Sequence, residues 1–321
     1  MLNLNHLANT ILILLISTFE SGSYKVAPIL FLIYPILVFK NKILINKKIL
    51  FHGLIYFVFI ITIFSRYNSS YSDIPMSRAL LTWSLLIPIH FFIIKTKNLD
   101  KSLALVFKII IVVALLDYVL FFLYKVDLSS IFLGIQSRHI SQHVGIGNLP
   151  RSTGLFGEPG TQANAILIIF LLIKNKTRNI KFFYVLVTII TLSPYLLIGF
   201  YYFISRKNII KFIVITIPIF MIIFYDRVVR IINFEDGSFL ERVKALDYFY
   251  ENYMYLNYLF SSDVLFTDAG LWLELMVEYG YFPLMIFLIF ILKNKIPSII
   301  LLLKIKAYSG WPILFMFFKK K

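Results

Sequence analysis

Long apolar runs follow one another along the chain, separated by short basic or longer mixed polar segments. The runs cover approximately residues 7–20, 24–39, 49–64, 79–94, 102–123, 162–173, 182–204, 209–225, 269–292 and 296–318. A span of the bilayer core needs about 20 apolar residues, and flanking Lys and Tyr side chains lengthen shorter runs by reaching the headgroups. The pattern predicts an all-α, polytopic membrane helix bundle, a single integral domain over residues 1–321, with about 10–12 transmembrane or half-spanning helices.

The composition also favours a membrane protein over a soluble one. Hydrophobic residues make up 60% of the chain, charged residues only 15%, and the mean hydropathy is +0.84. Lysine and arginine total 32 against 16 acidic residues, a net charge of +16. Because most of this excess lies in short loops between apolar runs, positive-inside bias explains it better than nucleic-acid binding. The chain has no cysteine, which excludes disulfides and thiol catalysis.

The charge of the connecting segments predicts their side of the membrane. Three short segments are basic and are expected inside: 40–48, 95–101 and 174–181. Three longer segments of mixed sign are then expected outside: 65–78, 124–161 and 226–268. The last two are the larger periplasmic loops, and the alternation places the N-terminus in the cytoplasm.

One apolar run conflicts with a simple alternation. The segments 174–181 and 205–211 are both basic and both predicted inside, yet only the run 182–204 separates them. Proline lacks a backbone donor and disfavours helix in the residue before it. We therefore expect two short helices that meet at Ser193–Pro194 in a re-entrant or V-shaped pair. One ordinary span with a proline kink is the alternative.

The end of the 124–161 loop concentrates polar side chains beside a membrane entry. It contains Arg138, His139, His143, Arg151 and Glu158, with Gly154, Gly157 and Gly160 around the glutamate. Glycine permits close backbone approach and positive φ, and Pro159 is typical of a helix N-terminus. Arg151 beside such a terminus would form a diphosphate site. Alternatively, Arg151 and Glu158 pair and brace the loop.

Metal chemistry is not indicated by these residues. His139 and His143 have the i,i+4 spacing that can hold zinc on a helix, but the sequence offers no third ligand. No metalloprotease, phosphate-loop or serine-hydrolase motif is present. We therefore expect no metal site.

The 226–268 loop adds a second group of basic residues. Arg227 and Arg230 lie three residues apart and would share a helix face, where they could bind phosphate or anchor a span at the headgroups. Residues 235–251 read as an amphipathic helix, with Ser238 as N-cap and Glu241 completing a capping box. Arg242 falls among the polar residues of this helix.

Acidic residues mark the start of the run 269–292. Asp268 could cap the helix that follows it. Glu274 and Glu278 lie four residues apart within the apolar stretch, where carboxylates are costly and are candidates for function. Alternatively, Glu278 lies at the membrane interface, where its charge is tolerated.

Three segments resemble motifs of bacterial O-antigen polymerases (Wzy type) and the related O-antigen ligase-like proteins. Arg151-Ser-Thr-Gly-Leu-Phe-Gly-Glu-Pro159 is similar to their R-x-x-G-x-F-x-E-P segment, and Thr191-Leu-Ser193 to their T-x-S stretch. Asp268-Ala-Gly-Leu, followed by Glu278-Tyr-Gly280, resembles S-D-x-G-L with E-Y-G. Asp268 stands where ligases commonly have a histidine, which favours a polymerase. The chain departs from the family at Pro194 and in being shorter than most members.

The resemblance implies a metal-independent, cofactor-free glycosyltransferase of the bacterial inner membrane. It would join undecaprenyl-diphosphate-linked oligosaccharide repeat units into O-antigen or a related surface polysaccharide at the periplasmic face. The implied partners are the lipid-linked oligosaccharide, the lipid bilayer and a polysaccharide chain-length regulator.

The resemblance also suggests roles for individual residues. Four arginines are expected to bind the diphosphate: Arg151, Arg227, Arg230 and Arg242. Arginine can stabilise the charge that develops on this leaving group without a metal. Glu158 is the leading general base, and Arg151, His139 and Asp268 are the other catalytic candidates. A ligase that transfers finished polymer is the nearest alternative. A lipid-linked oligosaccharide flippase is the alternative from another class, but it would show short loops and internal repeats.

Overall fold

The computed structural model of the protein describes a discontinuous part of the chain. The described residues are 10, 11, 13, 14, 17, 99–128, 131, 151–156, 158–191, 193–200, 204, 206–223, 225–252, 270–274, 276 and 281–294. Within them the chain forms helices and no β-strand. The predicted all-α class is therefore confirmed for this part of the chain.

Most of the described helices lie in the apolar runs of the sequence, and two fall almost entirely in the predicted 226–268 loop. In chain order they are α1 Leu99–Tyr124, α2 Pro159–Leu172, α3 Arg178–Thr191, α4 Pro194–Phe200, α5 Arg206–Ile223, α6 Tyr225–Ile232, α7 Gly237–Asn252, α8 Leu271–Glu274 and α9 Tyr281–Asn294. Helix α1 has 26 residues and is, in the described part of the chain, the one helix long and apolar enough to cross a membrane. Helix α2 is a shorter apolar helix.

The chain divides into two compact units. One consists of residues 1–99 together with 241–321, and the other of residues 100–240. The second unit contains α2 to α6 and all but the first residue of α1. The contacts that follow lie within this unit, unless stated otherwise.

Hydrogen bonds at both ends of α1 establish the direction of its neighbours. Near its start, the Asp100 carboxylate accepts a bond of 2.7 Å from the backbone N–H of Lys174, just after α2. Near its other end, Asp117 accepts a bond of 3.3 Å from the hydroxyl of Ser152, which precedes α2. The Ser152 N–H donates to the carbonyl of Ile190 at the end of α3, 3.1 Å away. Helices α1, α2 and α3 therefore alternate in direction.

An aromatic cluster packs these three helices together. The ring of Tyr184 on α3 is fully buried and lies 4.1 Å, centroid to centroid, from the ring of Phe170 on α2. Phe107 on α1 lies 6.1 Å from Phe170 and 6.5 Å from Tyr184. Such ring pairs contribute about 0.5–1.5 kcal/mol each beyond the burial of their area. The cluster is the centre of the core of this unit.

Helices α3 and α4 fold back on each other, as predicted for the break at Ser193–Pro194. The hydroxyl of Tyr184 donates a hydrogen bond of 2.6 Å to the carbonyl oxygen of Leu196. In one continuous helix these residues would be about 18 Å apart along the axis, beyond the reach of a tyrosine side chain. Gly199, one turn further along α4, also lies against Tyr184. The alternative of one kinked span is therefore wrong.

Helix α1 buries two polar side chains among apolar ones and exposes an apolar face in its second half. Its buried face includes Ser102 and Asp117 among apolar residues. Between Val112 and Leu123 the exposed face is entirely apolar and includes Val112, Leu116, Val119 and Leu123. In water the exposed apolar face would be costly, and the buried carboxylate of Asp117 is tolerated only with hydrogen-bond partners.

Helix α5 exposes apolar side chains on several faces. They are Ile210, Val214, Ile215, Ile217, Ile219, Met221 and Ile222. A helix of a soluble protein turns such residues towards a core on one side. Apolar exposure around a helix is typical of contact with lipid.

The turn between α6 and α7 corrects the predicted capping box. Helix α6 ends in a Schellman motif, in which the N–H of Glu235 donates to the Arg230 carbonyl at 2.7 Å and Phe234 has a φ of 57°. Asp236 then caps α7, since its Oδ1 accepts the N–H of Phe239 at 2.9 Å. The prediction of Ser238 as N-cap was wrong, because α7 begins at Gly237 and Ser238 is already helical.

Candidate functional site

The segment that begins at Arg151 is fixed between α1 and the end of α3. The Nε–H of Arg151 donates to the carbonyl oxygen of Thr191 at 2.9 Å. The next residue, Ser152, is buried and donates through its hydroxyl to the carbonyl of Ala114 on α1 at 2.8 Å. The conformation of the segment therefore depends on two helices that lie far from it in sequence.

A buried carboxylate on α1 holds the segment from the other side. Oδ2 of Asp117 accepts the backbone N–H groups of Thr153 at 3.0 Å and Gly154 at 2.9 Å. The same oxygen accepts the hydroxyls of Ser152 at 3.3 Å and Thr153 at 3.4 Å, while Oδ1 accepts the N–H of Leu128 at 3.3 Å. Asp117 is fully buried, and a buried charge is stable only with such compensation.

Asp117 was absent from the residues predicted from sequence. The sequence nevertheless marks Asp117, because it is the only carboxylate within the apolar run 102–123. Ionisable residues inside apolar spans are candidates for function by default. The rule that makes Glu274 and Glu278 candidates also selects Asp117.

Gly154 has the conformation and the close approach expected of a functional glycine. Its φ is +54°, and a Cβ there would lie 2.7 Å from Nε2 of Gln162 and 3.3 Å from Cα of Ala114. Gly160, in contrast, is helical and a Cβ there would have open space. The predicted positive φ and close backbone approach are therefore found at Gly154 and not at Gly160.

The segment leads directly into the N-terminus of α2. Glu158 is the N-cap in extended conformation, its side chain makes no capping hydrogen bond, and Pro159 is the first helical residue. This confirms the predicted helix start. The first-turn N–H groups of a helix attract anions, so the terminus provides partial positive charge next to the segment that carries Arg151.

Two buried polar side chains flank the segment. Gln162 is fully buried, and both its amide nitrogen and its amide oxygen lack a hydrogen-bond partner. The Oγ1 of Thr191 is also buried without a partner. Gln162 lies against Gly154, and the backbone of Thr191 binds Arg151. Unsatisfied buried groups cost about 1–3 kcal/mol each, and their presence here marks a polar site.

The remaining predicted site residues are described less fully. Arg230 is half-buried on α6, and the side chain of Arg227 on the same helix lies outside the described residues. Arg242 is half-buried on α7, in the unit that contains residues 241–321. His139 and Asp268 lie outside the described residues. The structure thus groups Arg151 with Asp117, Gln162 and Thr191, of which sequence reasoning named only Arg151 as a site residue.

Within the described part of the chain, no group of three or more His, Cys, Asp or Glu residues is placed to hold a metal ion. Comparison of the chain with known protein families, with characterised proteins and with solved structures found no match. The class of the protein therefore follows from its own features. In the described residues it is a helical protein, with one helix long and apolar enough to cross a membrane and a polar segment held by a buried carboxylate.

Proposed function

We propose that the protein is a multi-pass glycosyltransferase of the bacterial inner membrane that polymerises undecaprenyl-diphosphate-linked oligosaccharide repeats at the periplasmic face. The observation that carries this proposal is the anchored segment from Arg151 to Glu158, which leads into the N-terminus of α2. The resemblance of this segment to the O-antigen polymerases supplies the reaction.

The surface of the helices supports the membrane setting. Helix α1 buries its carboxylate and exposes an apolar face, and α5 is apolar on several exposed faces. Lipid stabilises this arrangement, whereas water would not. The alternation of basic and mixed connecting segments orients the site towards the periplasm.

The site has the charge that transfer from a diphosphate requires. A new bond forms between the anomeric carbon of the growing chain and the acceptor hydroxyl oxygen, while the bond from that carbon to the lipid diphosphate breaks. The leaving diphosphate gains negative charge, which Arg151 and the N-terminus of α2 stabilise. Arg227 and Arg230 are further candidates for binding the diphosphate, and Arg242 stays a prediction from the sequence.

The acceptor hydroxyl must lose its proton during the transfer. Glu158 is the leading base because it is half-buried and follows the anchored segment directly, at the start of α2. His139 and Asp268 are the other candidate bases. A carboxylate or imidazole within hydrogen-bond reach of the hydroxyl would suffice.

Deletion and complementation test the proposal. Loss of the surface-polysaccharide ladder on a gel, with single-repeat product retained, is expected when the gene is deleted. Accumulation of long lipid-linked chains would instead identify a ligase, and trapping of repeats on the cytoplasmic face a flippase. Complementation with Arg151→Ala is expected to leave the ladder absent, and an unchanged ladder would remove Arg151 from the diphosphate site.

A further inference from the structure

The Asp117 carboxylate has no part in the proposed chemistry, yet it has the largest number of hydrogen bonds recorded at the site. We propose that Asp117 is the positioning residue of the site, which holds residues 152–154 so that Arg151 meets the diphosphate in one orientation. This inference rests on the proposed function for its substrate. The contacts themselves do not depend on it.

The backbone N–H groups of residues 153 and 154 donate their hydrogen bonds to Asp117. The N–H groups of Thr153 and Gly154 both point at Oδ2, at 3.0 and 2.9 Å. Two successive N–H groups that converge on one oxygen would otherwise form an anion-binding concavity. Because the carboxylate already occupies them, an incoming diphosphate must be bound by the Arg151 side chain and the first turn of α2.

Arg151 is thereby held from two sides. Its own Nε–H is bonded to the carbonyl of Thr191 at the end of α3, and the residues after it are bonded to Asp117 on α1. Loss of the Asp117 carboxylate would leave the hydrogen bond between Arg151 and Thr191 in place. It would release the residues that follow Arg151 from α1. The guanidinium would keep its charge and lose its fixed direction, which matters because catalysis by positioned charge depends on orientation.

The absence of cysteine from the chain allows a direct test of this positioning. A single cysteine at Leu155, which is half-buried, reports the opening of the segment through its rate of reaction with a maleimide. Glu235→Cys, at an exposed position of the same unit, is the reference reporter. Labelling is measured on the full-length protein in lipid vesicles.

Asp117→Asn is expected to increase labelling at position 155 about tenfold or more, since hydrogen bonds to a charged group are lost. Labelling at position 235 should not change. Asp100→Asn is the matched control, because Asp100 is on the same helix and accepts a backbone N–H at the opposite end. Equal labelling at position 155 with and without Asp117→Asn would overturn the proposal.

Ser152→Ala combined with Thr153→Val provides a second variant, in case Asp117→Asn does not fold. It removes the two hydroxyls that lie within 3.4 Å of the carboxylate, together with the bond from Ser152 to the Ala114 carbonyl, and keeps both backbone donors. A smaller increase in labelling is expected, and no increase would contradict the proposal.

Polymerisation rates separate positioning from simple support of the fold. If Asp117 acts through Arg151, Asp117→Asn should lower kcat in the wild-type background and add little to Arg151→Lys, which keeps the positive charge and a measurable rate, since coupled residues are non-additive. Independent, additive losses would overturn the positioning role. If the wild-type protein does not polymerise lipid-linked repeats, the proposed function fails, while the labelling result still decides whether Asp117 holds the segment.

Discussion

The hydroxyl of Tyr184 donates a hydrogen bond of 2.6 Å to the main-chain carbonyl oxygen of Leu196. This contact joins two helices that are consecutive in the chain and separated by the break at Ser193–Pro194. It forms because the break turns α4 back towards α3, so that Leu196 and Gly199 lie against the buried side chain of Tyr184. The buried tyrosine therefore contributes to the position of the following helix.

Gly199→Ala is expected to destabilise the protein through this tyrosine. A Cβ at Gly199 would collide with the hydroxyl and ring of Tyr184, which is fully buried and packed against Phe170, so the ring cannot move aside. Overpacking of this kind costs about 1–3 kcal/mol. A lower unfolding temperature in detergent would be the measured effect.

Gly160→Ala is the control for this measurement. A Cβ at Gly160 has open space around it, and alanine favours helix over glycine by up to about 1 kcal/mol. The control should unfold at the same temperature as the wild type or higher. Equal unfolding temperatures of Gly199→Ala and Gly160→Ala would contradict the contact between Gly199 and Tyr184.

Gly154→Ala is expected to damage both stability and activity. The residue has a φ of +54°, where an L side chain costs about 1–2 kcal/mol, and its Cβ would press on the Gln162 amide at 2.7 Å. The backbone N–H that binds Asp117 would be displaced. We expect a lower unfolding temperature and loss of the polysaccharide ladder on complementation, while Gly160→Ala keeps wild-type stability. A wild-type ladder with Gly154→Ala would show that the segment tolerates a different backbone.

The sequence predicted local features better than long-range ones. The start of α2 at Pro159 and the break at Pro194 were predictable, because proline acts on its own backbone and that of its neighbour. The capping residue of α7 was misassigned, since Ser238 and Asp236 are both good caps and only the helix start distinguishes them.

The site itself was predictable only in part. The segment around Arg151 was recognised by its composition and its resemblance, but its partner Asp117 lies 34 residues earlier in the chain (151 minus 117). Hydrophobic periodicity places Asp117 on a helix and does not say which loop that helix face meets. The buried amide of Gln162 was missed for the same reason.

Cysteine labelling tests the alternation of α1 and α2 across the membrane. In the cysteine-free chain, Tyr124→Cys at the end of α1 should react with a membrane-impermeant maleimide on intact cells with a permeable outer membrane. Asn175→Cys, between α2 and α3, should react only after the inner membrane is permeabilised. Positive-inside bias predicts this sidedness. Reaction of both positions from outside would contradict the proposed topology.

Gln162→Leu tests whether Gln162 binds substrate or is a core residue whose amide lacks hydrogen-bond partners. Both amide atoms of Gln162 are buried without a partner, so an apolar side chain of similar size should leave stability unchanged or raise it. If the amide contacts the substrate, the same change should reduce polymerisation, because a donor or acceptor is lost where the diphosphate or sugar binds. We therefore expect an unchanged or higher unfolding temperature together with a shortened ladder. Ile166→Leu, one turn further along α2 and fully buried, is the control for altered packing. A full-length ladder with Gln162→Leu would assign the glutamine to the core alone.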